Sequence, residues 1–299
     1  MFTMKQKINW LIVMMIPKKT YIKLRFFLVH KYKLNLKSPK TFNEKIQHRK
    51  LYENNSLFSV CADKYAVREY VKNKIGGKYL IPLYLVTKKI TEEQYKNLPE
   101  TFVIKTTNGG GGSAVKIISN KFEKTKYKDK LMEKMNSYVD IKIGKYTQEE
   151  FYDQIDGKII AEKLLNENDK LPFDYKLHCF NNSSGFECYI QVIGDRNFSK
   201  KDGEVPYKMD YFDDKWKKLG FDTGGERFDR EIEKPKNLVE MVKLGKKLSE
   251  DFSYVRVDFY NIDGQIYFGE LTFCPFGGFI KFNPQKWDYK LGEMWELKK

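Results

Sequence analysis

Apolar positions recur at helical spacing in the first quarter of this chain and at a spacing of two once past residue 100. Ser38-Pro39-Lys40-Thr41 leads into a helix start, where Thr41 is placed to cap and Glu44 to reach back as its capping-box partner. A second helix is predicted from Ala62 to about residue 74, with Val67, Tyr70, Val71 and Ile75 on one side and Gly76-Gly77 ending it. Short β-branched runs then occupy 101–108 and 113–119, flanking Gly109, Gly110, Gly111 and Gly112. Further strands are expected over 158–165, 174–180 and 186–193, and a helix over 235–252. A hairpin of 254–260 and 265–273 closes the pattern around Asn261-Ile262-Asp263-Gly264. With no internal repeat, the chain reads as one mixed α+β unit whose antiparallel pairs carry the polar residues of interest.

Four consecutive glycines cost backbone entropy and need a reason. Between strands they let the backbone approach a polyphosphate and offer N–H groups to it. No Gly-Lys-Ser/Thr follows, and the next segment is strand-like, which excludes a Walker loop and a dinucleotide-binding turn. The readings left are a flap over phosphates and a bare hairpin tip. In the preceding strand Lys105 faces opposite to Phe102, Ile104 and Thr106, well placed to hold a phosphate as a point charge.

In the hairpin, Val255, Val257 and Phe259 face one way, Arg256 and Asp258 the other. Read as a three-residue loop with Gly264 in a left-handed bulge, the turn pairs Asn261 with Gln265. Arg256 then lies opposite Glu270 and Asp258 opposite Phe268, and Arg256, Asp258, Glu270 and Thr272 share a face. A two-residue turn would send Glu270 to the other side. Carboxylates at diagonal positions, roughly 7–8 Å apart at the backbone, can reach a shared pair of Mg²⁺ ions. Hard oxygens beside nucleotide phosphates are what Mg²⁺ takes. The alternative for these residues is an Arg256–Glu270 salt bridge on a solvated face.

Composition narrows the classes. Of the net charge of +15, residues 1–50 carry +12, from thirteen Lys/Arg against Glu44 alone, which leaves +3 for the rest. The basic excess is local, so the fold is not a nucleic-acid-coating surface. Residues 8–16 form an apolar run of nine before Pro17-Lys18-Lys19, short of the ~20 needed to span a bilayer and without a cleavage site behind it. That run is read either as a helix packed on the core or as a segment resting on an anionic membrane face. Cys61, Cys179, Cys188 and Cys274 form no C-x-x-C pair and read as reduced thiols of a cytoplasmic chain. Three histidines argue against a His-rich metal centre.

From about residue 38 to 275 the order of these features resembles the ATP-grasp superfamily, and within it the TupA-like branch linked to teichuronopeptide and capsular polysaccharide biosynthesis. The stretches that carry the resemblance include Pro39-Lys40-Thr41-Phe42-Asn43-Glu44-Lys45, Ala62-Asp63-Lys64-Tyr65-Ala66-Val67-Arg68 and Tyr79-Leu80-Ile81-Pro82. Phe102-Val103-Ile104-Lys105, Ala161-Glu162-Lys163-Leu164-Leu165, Asp174-Tyr175-Lys176, Asp195-Arg196, Arg256-Val257-Asp258-Phe259-Tyr260 and Gly269-Glu270-Leu271-Thr272 complete them. The resemblance implies antiparallel sheets that sandwich a nucleotide, with a basic helical region at 1–75, a subdomain with the glycine flap at 76–165 and a catalytic subdomain with the acidic hairpin at 166–299. It further implies that Lys64 and Lys105 contact the ATP phosphates, with Gly109, Gly110, Gly111, Gly112 and Ser113 closing over them. Glu162 and the backbone of Lys163 and Leu165 would recognise adenine, and Lys176 and Arg196 would line the phosphate or acceptor side. Asp258, Glu270 and Thr272, the last standing where the family commonly has Asn, would hold Mg²⁺. Arg256 would stabilise the charge that develops on transfer.

The implied activity is activation of a carboxylate as an acylphosphate, followed by amide formation with an amine. A sugar acid or amino acid is the implied acceptor, on a lipid-linked glycan or free, at the inner face of the membrane. Two other readings stand beside it. One is a sugar- or phosphoryl-transferase of the same pathway, although no Asp-x-Asp motif surrounds Asp258. The other is a non-catalytic binder of anionic glycan or membrane that uses residues 1–50.

Overall fold

In the computed structural model, which describes residues 13, 15–110, 114–166, 171–196 and 206–297, the alternating runs pair into two antiparallel sheets. Strands β1 (Leu83–Thr87), β2 (Phe102–Thr106), β3 (Val115–Ile118) and β4 (Ile159–Glu162) form the first, in the order β1-β4-β2-β3. Strands β5 (Asp174–Asn182), β6 (Gly185–Gly194), β7 (Lys208–Asp213), β8 (Tyr254–Ile262) and β9 (Gln265–Thr272) form the second, in the order β7-β6-β5-β8-β9. The α+β reading with antiparallel pairs holds. The apolar run at 8–16 lies almost wholly outside the described residues.

Helix α1 (Lys18–His30) precedes the expected capped helix, α2 (Phe42–Tyr52). Both halves of the capping box form: the Thr41 hydroxyl accepts from the Glu44 N–H at 3.1 Å, and Glu44 Oε2 accepts from the Thr41 N–H at 3.1 Å. Such a cap is worth about 1 kcal/mol. The helix expected from Ala62 is instead two, α3 (Leu57–Ala62) and α4 (Val67–Ile75). Asp63 separates them, because its Oδ1 accepts from the N–H groups of Tyr65 (2.7 Å) and Ala66 (3.1 Å). This local side-chain turn competes with the helix, and it swings Lys64 out of the helical path.

One face of the first sheet packs under α5 (Lys121–Tyr138), with Phe102, Ile104, Ile118, Leu131 and Met135 buried between them. Its other face turns Val103, Lys105 and Glu162 toward the second sheet. Helix α6 (Leu238–Ser249) covers one face of the second sheet through Met241, Leu244 and Leu248. At Gly245 a Cβ would lie 2.8 Å from the Leu177 side chain, so glycine sets the closeness of that approach. The opposite face of the second sheet changes character along its strands. At one end Phe180, Tyr189 and Tyr254 surround Phe42 and Trp295, with Phe42 edge-on to Tyr254 at 5.0 Å. Toward the other end the same face carries His178, Arg256, Lys176, Asp258 and Asp174. Aromatic packing thus forms a rigid floor from which the charged end projects.

Candidate active site

The acidic hairpin differs from expectation in a way that decides the site. The turn has two residues: Asp263 (φ 50°) and Gly264 (φ 81°) are both left-handed, and Ile262 pairs with Gln265. This mirror-image turn matches strand twist better than the expected three-residue loop. Continued without a break, its register would put Glu270 on the wrong face. A β-bulge between Asp258 and Phe259 restores it: Phe259 pairs with Phe268, but Asp258 pairs with Glu270 and Arg256 with Thr272. Gly269 is the extra residue. The expected pairs Asp258–Phe268 and Arg256–Glu270 are therefore replaced, while the four polar residues still share a face. A Cβ at Gly269 would meet the Asp258 carbonyl oxygen at 3.1 Å. We expect Gly269→Val to cost ~1–3 kcal/mol by overpacking and to lower activity further by displacing Glu270, measured by thermal melting and turnover together.

Cations interlock with the carboxylates on this face. Arg256 Nε donates to Asp258 Oδ1 at 2.7 Å and its Nη2 to Asp258 Oδ2 at 2.7 Å. The same Nη2 reaches Glu270 Oε1 at 2.9 Å, to which the Thr272 hydroxyl also donates at 3.2 Å. Lys176, directly across from Asp258 on β5, donates to Asp258 Oδ2 at 2.5 Å and lies 2.8 Å from Asp174 Oδ2. Arg196 meets the same Asp174 oxygen at 2.9 Å. Burial opposes the charge on Lys176, but Asp174 and then Asp258 outweigh it and raise its pKa. For Arg256, burial is likewise overcome by Asp258 and Glu270. Beneath Arg256, His178 pairs with it across the strands and shares a 2.9 Å hydrogen bond with the Tyr254 hydroxyl. Burial, then the Arg256 charge, push the His178 pKa well down, so the imidazole is a neutral support.

The first sheet contributes the opposite balance. Lys105 lies 2.5 Å from Glu162 Oε2, and Arg68 lies 3.6 Å from Glu162 Oε1. Glu162, proposed from the resemblance as an adenine contact, is here the carboxylate that holds these two cations. Lys64 binds the turn that follows β2 twice, by its N–H to the Thr107 carbonyl (3.3 Å) and by its ammonium to the Gly109 carbonyl. Burial pulls the Lys64 pKa down, and the foremost charge resisting this is Glu270, from the second sheet. Lys64 therefore sits where the glycine turn and the acidic hairpin converge.

Gly111, Gly112 and Ser113 lie outside the described residues. At Gly110 a Cβ would lie 3.5 Å from the Tyr152 hydroxyl, and at Gly109 3.5 Å from the Thr106 hydroxyl. The Thr106 hydroxyl is buried without a hydrogen-bond partner. Lys163 projects outward, its N–H committed to the Pro82 carbonyl at 2.9 Å, and Leu165 is buried. Two site residues escaped the sequence reading. Asp174 anchors Lys176 and Arg196, and its place beside Lys176 was the available signal. Tyr152, between the glycine turn and Glu270, lies in a short 3₁₀ turn with no periodic pattern.

The donor set fits a nucleotide-borne metal better than a metal caged by protein alone. Among the described residues no group of three or more His, Cys, Asp or Glu is placed to hold a metal ion. Asp258 and Glu270, with the Thr272 hydroxyl, would supply the one or two carboxylates that Mg²⁺ takes when phosphates complete its shell. Side chains at 109 and 110 would fill the space in which a phosphate could approach the backbone, and lysines line both sides.

The site thus joins two antiparallel sheets: one carries Lys105 and leads into the glycine turn that Lys64 binds, and the other ends in the acidic hairpin. The sequence model of the TupA-like ATP-grasp family matches residues 44–296, and the chain belongs to that family. No curated protein matches the chain. Solved structures similar to it include D-alanine–D-alanine ligase of Bacillus anthracis, 18% identical over 71% of this chain and 57% of that one, with a TM-score of 0.42. Another is D-alanine–D-alanine ligase of Helicobacter pylori, 16% identical over 74% and 56%, with a TM-score of 0.39. A third is N5-carboxyaminoimidazole ribonucleotide synthetase, 13% identical over 73% and 46%, with a TM-score of 0.41. The chain thus aligns with about half the length of each. No helix among the described residues is long and apolar enough to cross a membrane.

Proposed function

We propose that the chain is an ATP-dependent ligase of cell-surface polysaccharide assembly that activates a carboxylate for amide formation. The carrying observation is the bulge-set pairing of Asp258 with Glu270, with Glu270 close enough to Lys64 to support its charge, and Lys105 beside Lys64. In this reading a carboxylate oxygen of the acceptor attacks the γ-phosphorus and the bond to the β,γ-bridging oxygen breaks. ADP leaves with that electron pair, an acylphosphate forms, and an amine displaces inorganic phosphate with loss of a proton to solvent. Asp258, Glu270 and Thr272 would hold Mg²⁺, which there supplies charge neutralisation on the polyphosphate. Lys64 and Lys105 orient the β- and γ-phosphates, and the glycine turn excludes water. Arg256, fixed by Asp258 below and Glu270 beside it, presents its guanidinium to the charge on the transferring group. Lys176 and Arg196, tied through Asp174, line the acceptor side and favour an anionic acceptor, a sugar acid or an amino acid.

The test is titration of the folded protein with a non-hydrolysable ATP analogue, with and without Mg²⁺, followed by thermal melting. At 100 times its dissociation constant the analogue should stabilise the fold by about 2.7 kcal/mol. Lys105→Ala should abolish most of that shift; because it leaves the buried Glu162 with Arg68 alone at 3.6 Å, the shift is measured against the variant's own ligand-free melting temperature. A Lys105→Ala variant that binds the analogue as tightly as wild type would remove Lys105 from the nucleotide site.

A further inference from the structure

Helix α1 is apolar on two opposite faces. Ile22 and Phe26 are buried against the body of the protein, at 1% and 0% exposure. Leu24, Phe27 and Leu28 fall on the far side of the helix at i, i+3 and i+4, and are 50%, 47% and 57% exposed. A surface helix ordinarily presents charged or polar residues there. Charge surrounds this stripe in one sign: residues 18–40 hold eight Lys/Arg and no Asp or Glu. Lys19, Lys23 and Lys37 also converge with Asn35 and Tyr52 on a cleft of about 370 Å³ at its flank. A second copy of the chain would set like charges against each other, whereas an acidic bilayer answers both the apolar stripe and the cations.

We propose that α1 is a membrane-docking helix, with Leu24, Phe27 and Leu28 inserted among acyl chains and the flanking lysines on anionic lipid headgroups. The helix is mechanically joined to the loop that follows β9. Arg25 lies over the Phe279 ring at 4.1 Å, and the His30 ring stacks on Phe279 at 6.4 Å. Docking would thus hold the segment that follows the metal-binding hairpin at the bilayer, the position a lipid-linked acceptor requires; that last step rests on the ligase reading.

The experiment is co-sedimentation of the full chain with phosphatidylcholine vesicles, with and without phosphatidylglycerol, in the absence of nucleotide. Wild type should bind only the anionic vesicles and should release them at about 1 M salt, where the screening length falls to about 3 Å. Leu24→Ser/Phe27→Ser/Leu28→Ser should lower the partition coefficient about tenfold, and Lys23→Glu/Lys33→Glu about tenfold or more, both retaining the wild-type melting temperature. Equal binding to neutral vesicles, no binding by wild type, or a triple variant that binds as wild type does would each overturn the proposal. So would a wild-type dimer dispersed by the triple variant, which would make a second copy the occupant. Because no nucleotide is present, failure here leaves the ATP-analogue test untouched, and failure of that test leaves membrane docking standing.

Discussion

Glu270→Ala should lower ATP-dependent turnover by about 10²- to 10³-fold, the usual cost of removing one preorganised electrostatic group, while the melting temperature stays close to wild type. The two halves of this expectation come from different features of one side chain. Glu270 is 43% exposed on its side chain; it meets the outer edge of Arg256 at 2.9 Å and accepts from the Thr272 hydroxyl at 3.2 Å. An ion pair that open to water is worth roughly 0–1 kcal/mol, and Arg256 keeps both bonds to Asp258 without it. Folding therefore loses little. In the proposed mechanism, in contrast, transition-state charge would develop where Glu270 lies near Lys64, and a carboxylate that holds Mg²⁺ there would have no substitute. Glu270→Gln should behave alike, since it keeps the shape and the Thr272 contact but removes the charge. Turnover within threefold of wild type, in a variant that melts normally, would sink the assignment of Glu270.

Much of this site is legible in the residues alone, and the reasons are local. Strand alternation in Arg256-Val257-Asp258 does not depend on partners, so its facing was readable from the residues alone. The Thr41–Glu44 box is likewise a short-range signal, and it formed as expected. Register was harder, because the expected loop and the actual turn differ by one residue, and the error was hidden by a compensating bulge at Gly269. A bulge is a tertiary choice, and the isolated Gly269 in Tyr267-Phe268-Gly269-Glu270 was the one local signal for it. Helix α5 was missed because only Leu131 and Met135 of its 18 residues are buried, too few for an apolar stripe. Strand β7 was missed because Lys208-Met209-Asp210-Tyr211-Phe212-Asp213 buries Asp210 against Arg227 (2.7 Å) and Lys218 (2.7 Å), a pairing invisible in one dimension.

Asp258 and Glu270 are adjacent across β8 and β9, yet their substitutions should separate. Asp258 is 2% exposed and binds two cations, Arg256 (7% exposed) and Lys176. Asp258→Ala leaves both buried beside Asp174 and Glu270 alone, and breaking a buried pair from one side costs about 3–5 kcal/mol. At roughly 2–4 °C per kcal/mol for chains somewhat shorter than this one, the melting temperature should fall by on the order of 10 °C. Measured in the presence of a chelator, that loss cannot come from a missing metal. The double variant Asp258→Ala/Arg256→Met should recover much of it, because an apolar side chain leaves no stranded charge, and the two changes should couple strongly in a double-mutant cycle. Activity should stay absent in the double variant, since the guanidinium and the carboxylate are both gone. Recovery of stability without activity would separate what Asp258 does for the fold from what it does in the cleft. A single variant that melted as wild type does would mean that Lys176 and Arg256 are satisfied elsewhere, and that the charged end of the sheet is not held together through Asp258.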